Sequence, residues 1–123
     1  MSAITVSTRE AATALGVSVR TVQRRAQQGK LTAAKHGGRW AIRVDVDLSI
    51  FKPDQVDKAR EAVEQRAILR TSRPGMYAAV SSDGSTTYLT HAAGCSCRAG
   101  QRGIRCWHRA AVAILAGVER RAA

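Results

Sequence analysis

The first third of the chain has apolar residues at helical spacing on both sides of a tight turn. Residues 7–10 match a capping box, and the apolar stripe that follows continues through Leu15, which predicts an amphipathic helix. Gly16 gives the next turn a permissive backbone, and Ser18 is suited to cap a second helix, for which Gly29 is a natural stop. The pattern predicts a helix-turn-helix.

Short runs with strand-like composition come next. The runs 31–35 and 39–44 flank a Gly-Gly turn and predict a hairpin, and Ile4 with Val6 predicts a short strand ahead of the first helix. A hairpin directly after the second helix of a helix-turn-helix is a wing. We therefore expect a winged helix-turn-helix over residues 1–50.

The remaining residues predict one further helix and a small strand-strand-helix unit. The run 53–71 lacks Gly and Pro inside it and predicts a connector helix, with a dimerising helix as the alternative, since its apolar seam is weak and rich in alanine. Arg73-Pro74-Gly75 predicts its end. The runs 76–80 and 86–90, joined through an Asp-Gly turn, predict a second hairpin, and 109–119 predicts a final helix whose apolar face we assign to the core.

Charge indicates the class of partner. Lys and Arg outnumber Asp and Glu by 20 to 9 in 123 residues, a formal net charge of +11, which favours an anionic partner. The basic excess lies in residues 1–52 and 76–123, whereas 53–75 is nearly balanced. We see no membrane-spanning run and no signal pattern, so we expect the protein in the cytoplasm, associated with the nucleoid. Aromatic residues are too few to favour stacking on single strands, and duplex DNA fits better.

The second predicted helix and the wing supply suitable DNA-contacting groups. Arg20, Gln23 and Arg24 fall on the face opposite the apolar residues of the helix and carry long donors that reach base edges or phosphates. The tip of the wing carries further basic groups, placed to touch the backbone or a minor groove. The candidate DNA-binding residues are Ser18, Arg20, Thr21, Gln23, Arg24, Lys35, His36 and Arg39.

Five short segments follow one another through this region: TREAA at 8–12, LGVS at 15–18, RTV at 20–22 with Arg24, GKL at 29–31 and GRW at 38–40. With them, residues 4–44 resemble the winged helix-turn-helix shared by phage excisionases and the DNA-binding half of MerR-like regulators. The resemblance implies DNA contacts from the second helix and the wing, with Trp40 packing the wing onto the body. MerR-like regulators continue into a long dimerising helix and an effector domain, which we do not recognise here, so the excisionase-like alternative is favoured.

Three cysteines and one histidine near the C-terminus have the composition of a structural zinc site. Cys95, Cys97, Cys106 and His108 offer three thiolates and one imidazole, a closed tetrahedral set that leaves no position for a catalytic water. Residues two apart diverge on a strand or a helix, so Cys95 and Cys97 must lie in a turn or knuckle, while Cys106 precedes the last helix and His108 lies in its first turn. His91 is a less favoured substitute ligand, since it falls in a strand.

This Cys-x-Cys and Cys-x-His arrangement, with its flanks over 76–116, resembles the SWIM zinc finger, a family associated with both DNA and protein binding. Four arginines at 98, 102, 105 and 109 surround the ligands, and they either face phosphate or compensate the negative charge of the site. Whether the finger binds DNA or protein is left open. The fold class expected is α+β: a winged helix-turn-helix at 1–50, a connector helix and linker at 51–75, and a ββα zinc finger at 76–123.

We therefore expect a sequence-specific duplex-DNA-binding protein with structural zinc and no enzymatic activity. Its role is that of an excisionase-like recombination directionality factor or a small transcriptional regulator of a phage or mobile element, with a homo-oligomer on DNA left open. The alternative is an adaptor tethered to DNA, whose zinc finger binds a protein partner. Catalysis is disfavoured, because the sequence has no nucleophile-base pair and no Gly-rich phosphate loop; Asp45 and Asp47 have no third acidic partner in view.

Overall fold

A computed structural model describes residues 3–81 and 83–122, and it combines five helices with seven short strands over those ranges. The helices are α1 (Thr8–Leu15), α2 (Val19–Gln27), α3 (Pro53–Glu64), α4 (Arg98–Gln101) and α5 (Trp107–Ala122). The strands are β1 (Ala3–Val6), β2 (Ala33–His36), β3 (Arg39–Asp45), β4 (Ile68–Arg70), β5 (Tyr77–Val80), β6 (Thr87–His91) and β7 (Gly94–Cys95).

The helix-turn-helix begins and ends at the residues that the sequence predicts. Ser7 caps α1 in a capping box with Glu10, and Gly16 ends α1 in the left-handed region at φ 67°. Ser18 caps α2 by accepting a hydrogen bond from the Thr21 N–H. The predicted wing is also confirmed, since β2 and β3 pair antiparallel and β1 completes a three-stranded sheet in the order β1-β3-β2.

The helix predicted over 53–71 is wrong in its second half, because α3 ends at Glu64. Arg66 adopts a left-handed conformation at φ 58°, which reverses the chain. Ile68 then enters β4, pairs with β5 and is 1% exposed. The strand depends on a partner that lies distant in sequence, so the local absence of Gly and Pro gave no sign of it.

Strands β4 to β7 form a second antiparallel sheet in sequence order. The hairpin predicted over 76–80 and 86–90 is confirmed as β5 and β6, and within its turn Ser82 lies outside the described residues. Ile68, Ala79 and Thr90 are buried on the face of the sheet turned toward the helices. The opposite face bears exposed Leu69 and Leu89.

Among the described residues, one cluster of buried side chains extends across both sheets and the long helices. It includes Val22 of α2, Val44 of β3, Val63 of α3 and Ile114 of α5, and α5 packs on α1, α3 and β3. The contact with β3 is close, because a Cβ at Gly117 would lie 2.8 Å from a methyl carbon of Val44. The core therefore crosses both of the domain boundaries predicted at 50 and 75, which remain predictions.

An ion pair between a buried glutamate and a partly exposed arginine joins the helix-turn-helix to α3. Glu10 is 2% exposed, and its Oε1 accepts hydrogen bonds from the Ser7 N–H and from Nη2 of Arg60, at 3.1 and 3.3 Å. The same Arg60 nitrogen donates to the carbonyl of Thr5. The sequence pattern identified Glu10 as a cap, but it did not predict this ion pair across 50 residues.

Among the helices that the structure describes, none combines the length and apolar character needed to cross a bilayer.

Candidate metal centre and DNA interface

The four predicted metal ligands converge at one end of the second sheet. Cys95 ends β7, Cys97 lies two residues later just before α4, and Cys106 and His108 flank the first residue of α5. This is the arrangement expected from the spacing: a knuckle for the first pair and a helix start for the second. One ligand atom from each residue lies within 4.8 Å of all the others.

These atoms suit a zinc ion in both spacing and chemistry. Two thiolates bound to one tetrahedral zinc ion are about 3.8 Å apart, so sulfurs and a nitrogen within 4.8 Å need little movement to close on it. Nδ1 of His108 is buried and has no hydrogen-bond partner among the described residues. An unpaired nitrogen of this kind is costly unless a ligand satisfies it, so the orphaned atom supports a metal in the site.

Burial around the centre favours the neutral forms of its groups unless a cation is bound. Burial is the main cause that raises the pKa of the Cys106 thiol to about 12, with the neighbouring Cys95 adding to it. Burial likewise lowers the pKa of His108 to about 4, and the charge of Lys58 contributes. A zinc ion supplies the positive charge that holds the cysteines as thiolates and accepts the neutral imidazole as its fourth ligand.

Hydrogen bonds brace the knuckle that carries Cys95 and Cys97. The N–H of Gly100 donates to Sγ of Cys97 at 3.4 Å. The side-chain amide of Gln101 donates through Nε2 to the carbonyl of Ser96 at 2.9 Å. Ser96 is itself tied to β6, because its N–H donates to the carbonyl of Leu89 and its Oγ accepts from the Leu89 N–H. The knuckle is thus fixed to the strand beside it.

Rings and long side chains fix the other pair of ligands. The imidazole of His108 lies between Trp107 and Tyr88, with ring centroids 4.0 and 5.5 Å away. Arg109 donates through Nε and Nη2 to the carbonyl of Ala92, which ties the start of α5 to the turn after β6. Arg109 therefore has a structural contact, whereas the arginines at 98, 102 and 105 are exposed.

His91 lies outside the group of four, as the sequence analysis favours. It is an exposed residue at the end of β6, and its Nδ1 accepts a hydrogen bond from the Ala93 N–H.

Gly100→Ala is expected to weaken zinc binding by about 10- to 100-fold, because a Cβ at this position would lie 1.9 Å from the carbonyl oxygen of Cys95. Relief of that overlap has to move α4 away from β7, which separates Cys95 from Cys97. The measurement is a zinc competition titration against a chromophoric chelator. Arg102→Ala, an exposed neighbour, is the control and should bind zinc like the wild type. Equal affinity of the two variants would contradict the tight packing at Gly100.

The candidate DNA-binding side chains lie on α2 and the wing. Arg20, Gln23 and Arg24 are exposed, whereas Val22 and Ala26 on the other face of α2 are buried. The wing-tip residues Lys35, His36 and Arg39 are exposed as well, and Nζ of Lys35 lies 5.8 Å from the ring centroid of Trp40. Two candidates have structural contacts: the hydroxyls of Ser18 and Thr21 lie 2.9 Å apart within the cap of α2.

A shared groove connects the two parts of this surface. Gln23 of α2, Arg39 and Trp40 of the wing and Arg9 near the start of α1 all line it. Helix α2, through Gln23, and the wing, through Arg39 and Trp40, therefore open onto the same concave region.

Comparison with known protein families gives two matches. Residues 5–46 match the family described as helix-turn-helix domain, and residues 91–117 match the SWIM zinc finger. No match was found among curated proteins or among solved structures. Domains of these two kinds are typically non-enzymatic, and the helix-turn-helix is a DNA-binding domain. The chain thus combines a helix-turn-helix domain at residues 5–46 with a SWIM zinc finger at residues 91–117 that binds structural zinc.

Proposed function

We propose that this chain is a non-catalytic protein that binds specific sequences of duplex DNA in the bacterial cytoplasm or nucleoid. It acts as an excisionase-like recombination directionality factor or as a small transcriptional regulator of a phage or mobile element. The observation that carries the proposal is the exposed donor face of α2, of which Gln23 lines a groove together with Arg39 of the wing. The net charge of +11 supports it, because counterion release favours binding to phosphate.

Each part of the interface has its own task in this proposal. Arg20, Gln23 and Arg24 contact base edges in the major groove, while Lys35, His36 and Arg39 contact the backbone or the adjacent minor groove. Ser18 and Thr21 hold the start of α2 and present it to a phosphate. Bound zinc would tie the start of α5 to β6 and β7, and the zinc finger that it stabilises adds contacts to DNA or to a protein partner.

Arg20→Ala/Arg24→Ala is expected to lower affinity for the selected DNA sequence by about 30-fold or more, since a bidentate contact to a base contributes about 1–3 kcal/mol. The measurement is selection from a random duplex pool at physiological salt, followed by titration of the enriched sequence. The matched control is Arg102→Ala/Arg105→Ala, which removes the same charge from the exposed zinc-finger loop. This control should select the same DNA motif as the wild type and differ from it only in how its DNA affinity depends on salt concentration.

Two results would contradict the proposal. If no motif emerges from the pool, the positive charge binds DNA without sequence preference. If both double variants lose the same affinity and keep the same motif, α2 does not contact the bases. Where a motif emerges, its arrangement separates the two roles, because side-by-side copies favour a recombination factor and a single palindrome favours a repressor.

A further inference from the structure

A pocket of about 540 Å³ opens between α3 and the sheet β1-β3-β2. Its size falls in the range of about 300–1,000 Å³ that is usual for small-molecule sites. Thr5 of β1 and Trp40 and Ala41 of β3 line its sheet side. Of the described residues that line it, none is a zinc ligand or one of the candidate DNA-binding residues.

Negative charge is concentrated in this pocket, although the chain has a net charge of +11. Four of the nine acidic residues of the chain line it, namely Glu10, Asp57, Glu61 and Glu64. Arg60 is its one basic lining residue, and its Nη2 is already bonded to Glu10. A concave site lined by one sign of charge focuses the electric field and raises the local concentration of counter-ions. The pocket therefore attracts a cation.

A buried carboxylate with one unpaired oxygen lies at the bottom of the pocket. Glu10 is 2% exposed, and Oε1 accepts the hydrogen bonds from the Ser7 N–H and from Arg60. Oε2 is buried and has no hydrogen-bond partner among the described residues. An unpaired buried carboxylate oxygen is costly. A cation held in the pocket would lower that cost through its field, because attraction between charges is strong where water is excluded and does not require direct contact.

The spacing of the exposed carboxylates favours a long cation over a compact one. Asp57, Glu61 and Glu64 are four and three residues apart on α3, so they follow one face of the helix over about 10 Å. Among the described residues, the one converging group of three or more possible metal ligands is that of the zinc finger. A linear chain with several ammonium groups can reach these carboxylates in turn, and the half-buried ring of Trp40 offers a surface for its methylene groups.

We propose that this acidic pocket binds a linear polyamine. The ammonium groups of the ligand pair with Asp57, Glu61 and Glu64, its methylene groups pack on Trp40, and one end lies above Glu10. This ligand site goes beyond the proposed DNA binding and does not depend on it.

The test titrates the full, zinc-loaded chain with the triamine spermidine at physiological salt and without DNA. We expect saturable one-to-one binding by calorimetry. In a Trp107→Phe background, which leaves Trp40 as the only tryptophan, the emission should change over the same range of ligand concentration. Spermidine acetylated at both ends keeps the carbon chain but only one ammonium group, so it should bind at least about tenfold more weakly. Magnesium chloride at equal ionic strength should not displace spermidine.

Two double variants separate this pocket from negative charge elsewhere on the surface. Asp57→Asn/Glu61→Gln removes two exposed carboxylates from the pocket with little change of shape, and it should lower spermidine affinity by about fivefold or more. The matched control is Asp47→Asn/Asp54→Asn, which removes two exposed carboxylates that do not line the pocket. The control should bind spermidine like the wild type, and circular dichroism should show the same fold for both variants.

Four outcomes would overturn the proposal. The first is that spermidine does not bind. The second is that both double variants lose the same affinity, in which case the ligand binds by overall charge and not in the pocket. The third is that magnesium displaces spermidine, which would indicate a site for compact ions. The fourth is that sedimentation without spermidine shows an oligomer that Asp57→Asn/Glu61→Gln dissociates, because the pocket would then hold a basic side chain of a second copy.

Discussion

Cys106→Ser is expected to unfold the helix-turn-helix together with the zinc finger, in a single transition. Cys106 is 5% exposed and directly precedes α5, the helix that packs on α1, α3 and β3. Structural zinc sites contribute about 10–16 kcal/mol of apparent binding energy at neutral pH, whereas a small domain has only about 5–15 kcal/mol of net stability. Loss of the zinc ion therefore removes an amount of free energy comparable to the whole stability of the fold.

The measurement compares the zinc content of the protein with the fluorescence of a tryptophan in the wing, away from the metal centre. The two tryptophans are Trp40 in the wing and Trp107 beside the metal centre, so a Trp107→Phe background leaves Trp40 as the only reporter. In that background, chelator titration of the zinc-loaded protein should change Trp40 emission at the same chelator concentration that releases zinc. The Cys106→Ser variant should show the altered emission without chelator.

The control is His91→Ala, which removes an imidazole close to the ligands but outside their group. His91 is exposed and makes one local hydrogen bond, so its replacement should cost no more than about 1 kcal/mol. Two separate transitions, with Trp40 unchanged after zinc is released, would contradict the coupling. They would mean that the winged helix-turn-helix keeps its fold without bound zinc.

Local signals in the sequence predicted the elements that carry the candidate sites. Ser7 and Ser18 cap helices, and a pair of glycines turns the wing, because these effects depend on a few neighbouring residues. The zinc ligands could be found for a similar reason. Three soft thiolates and an imidazole permit few other arrangements, and a spacing of two residues restricts the backbone around each pair.

Long-range packing could not be predicted in the same way. Helices α1, α3 and α5 are rich in alanine, and the sequence did not indicate that Ala12, Ala59 and Ala110 meet in one core. The end of α3 was missed because β4 exists only through its pairing with β5. The orphaned Nδ1 of His108 and the ion pair of Glu10 with Arg60 also depend on the tertiary structure.

A fragment ending at Pro74 is expected to be unfolded and to lose DNA binding, even though it contains the whole helix-turn-helix. It lacks α5, whose Val112, Ile114, Leu115 and Val118 are each no more than 1% exposed. Burial of such a side chain stabilises a fold by about 1.5–3 kcal/mol, so the four together contribute about 6–12 kcal/mol. That amount is comparable to the entire net stability of a domain of this size.

A point substitution tests the packing of α5 on β3 in the full chain. Gly117→Val introduces a branched side chain where even a Cβ would lie 2.8 Å from Val44 Cγ1 and 3.4 Å from Val46 Cβ. Valine has a higher helix propensity than glycine, so any loss of stability has to come from the contact with β3. The control is Ala116→Val, one position earlier at a half-buried site of the same helix.

We expect thermal denaturation, followed by circular dichroism, to show a lower free energy of unfolding for both variants. The decrease should be about 2 kcal/mol or more for Gly117→Val and less than about 1 kcal/mol for Ala116→Val. DNA affinity measured well below the melting temperature should be the same for both, because neither residue lies on α2 or the wing. A fragment 1–74 that melts cooperatively and keeps its selected DNA sequence would refute the shared core. The packing of α5 on β3 would then add to the stability of a winged helix-turn-helix that already folds alone.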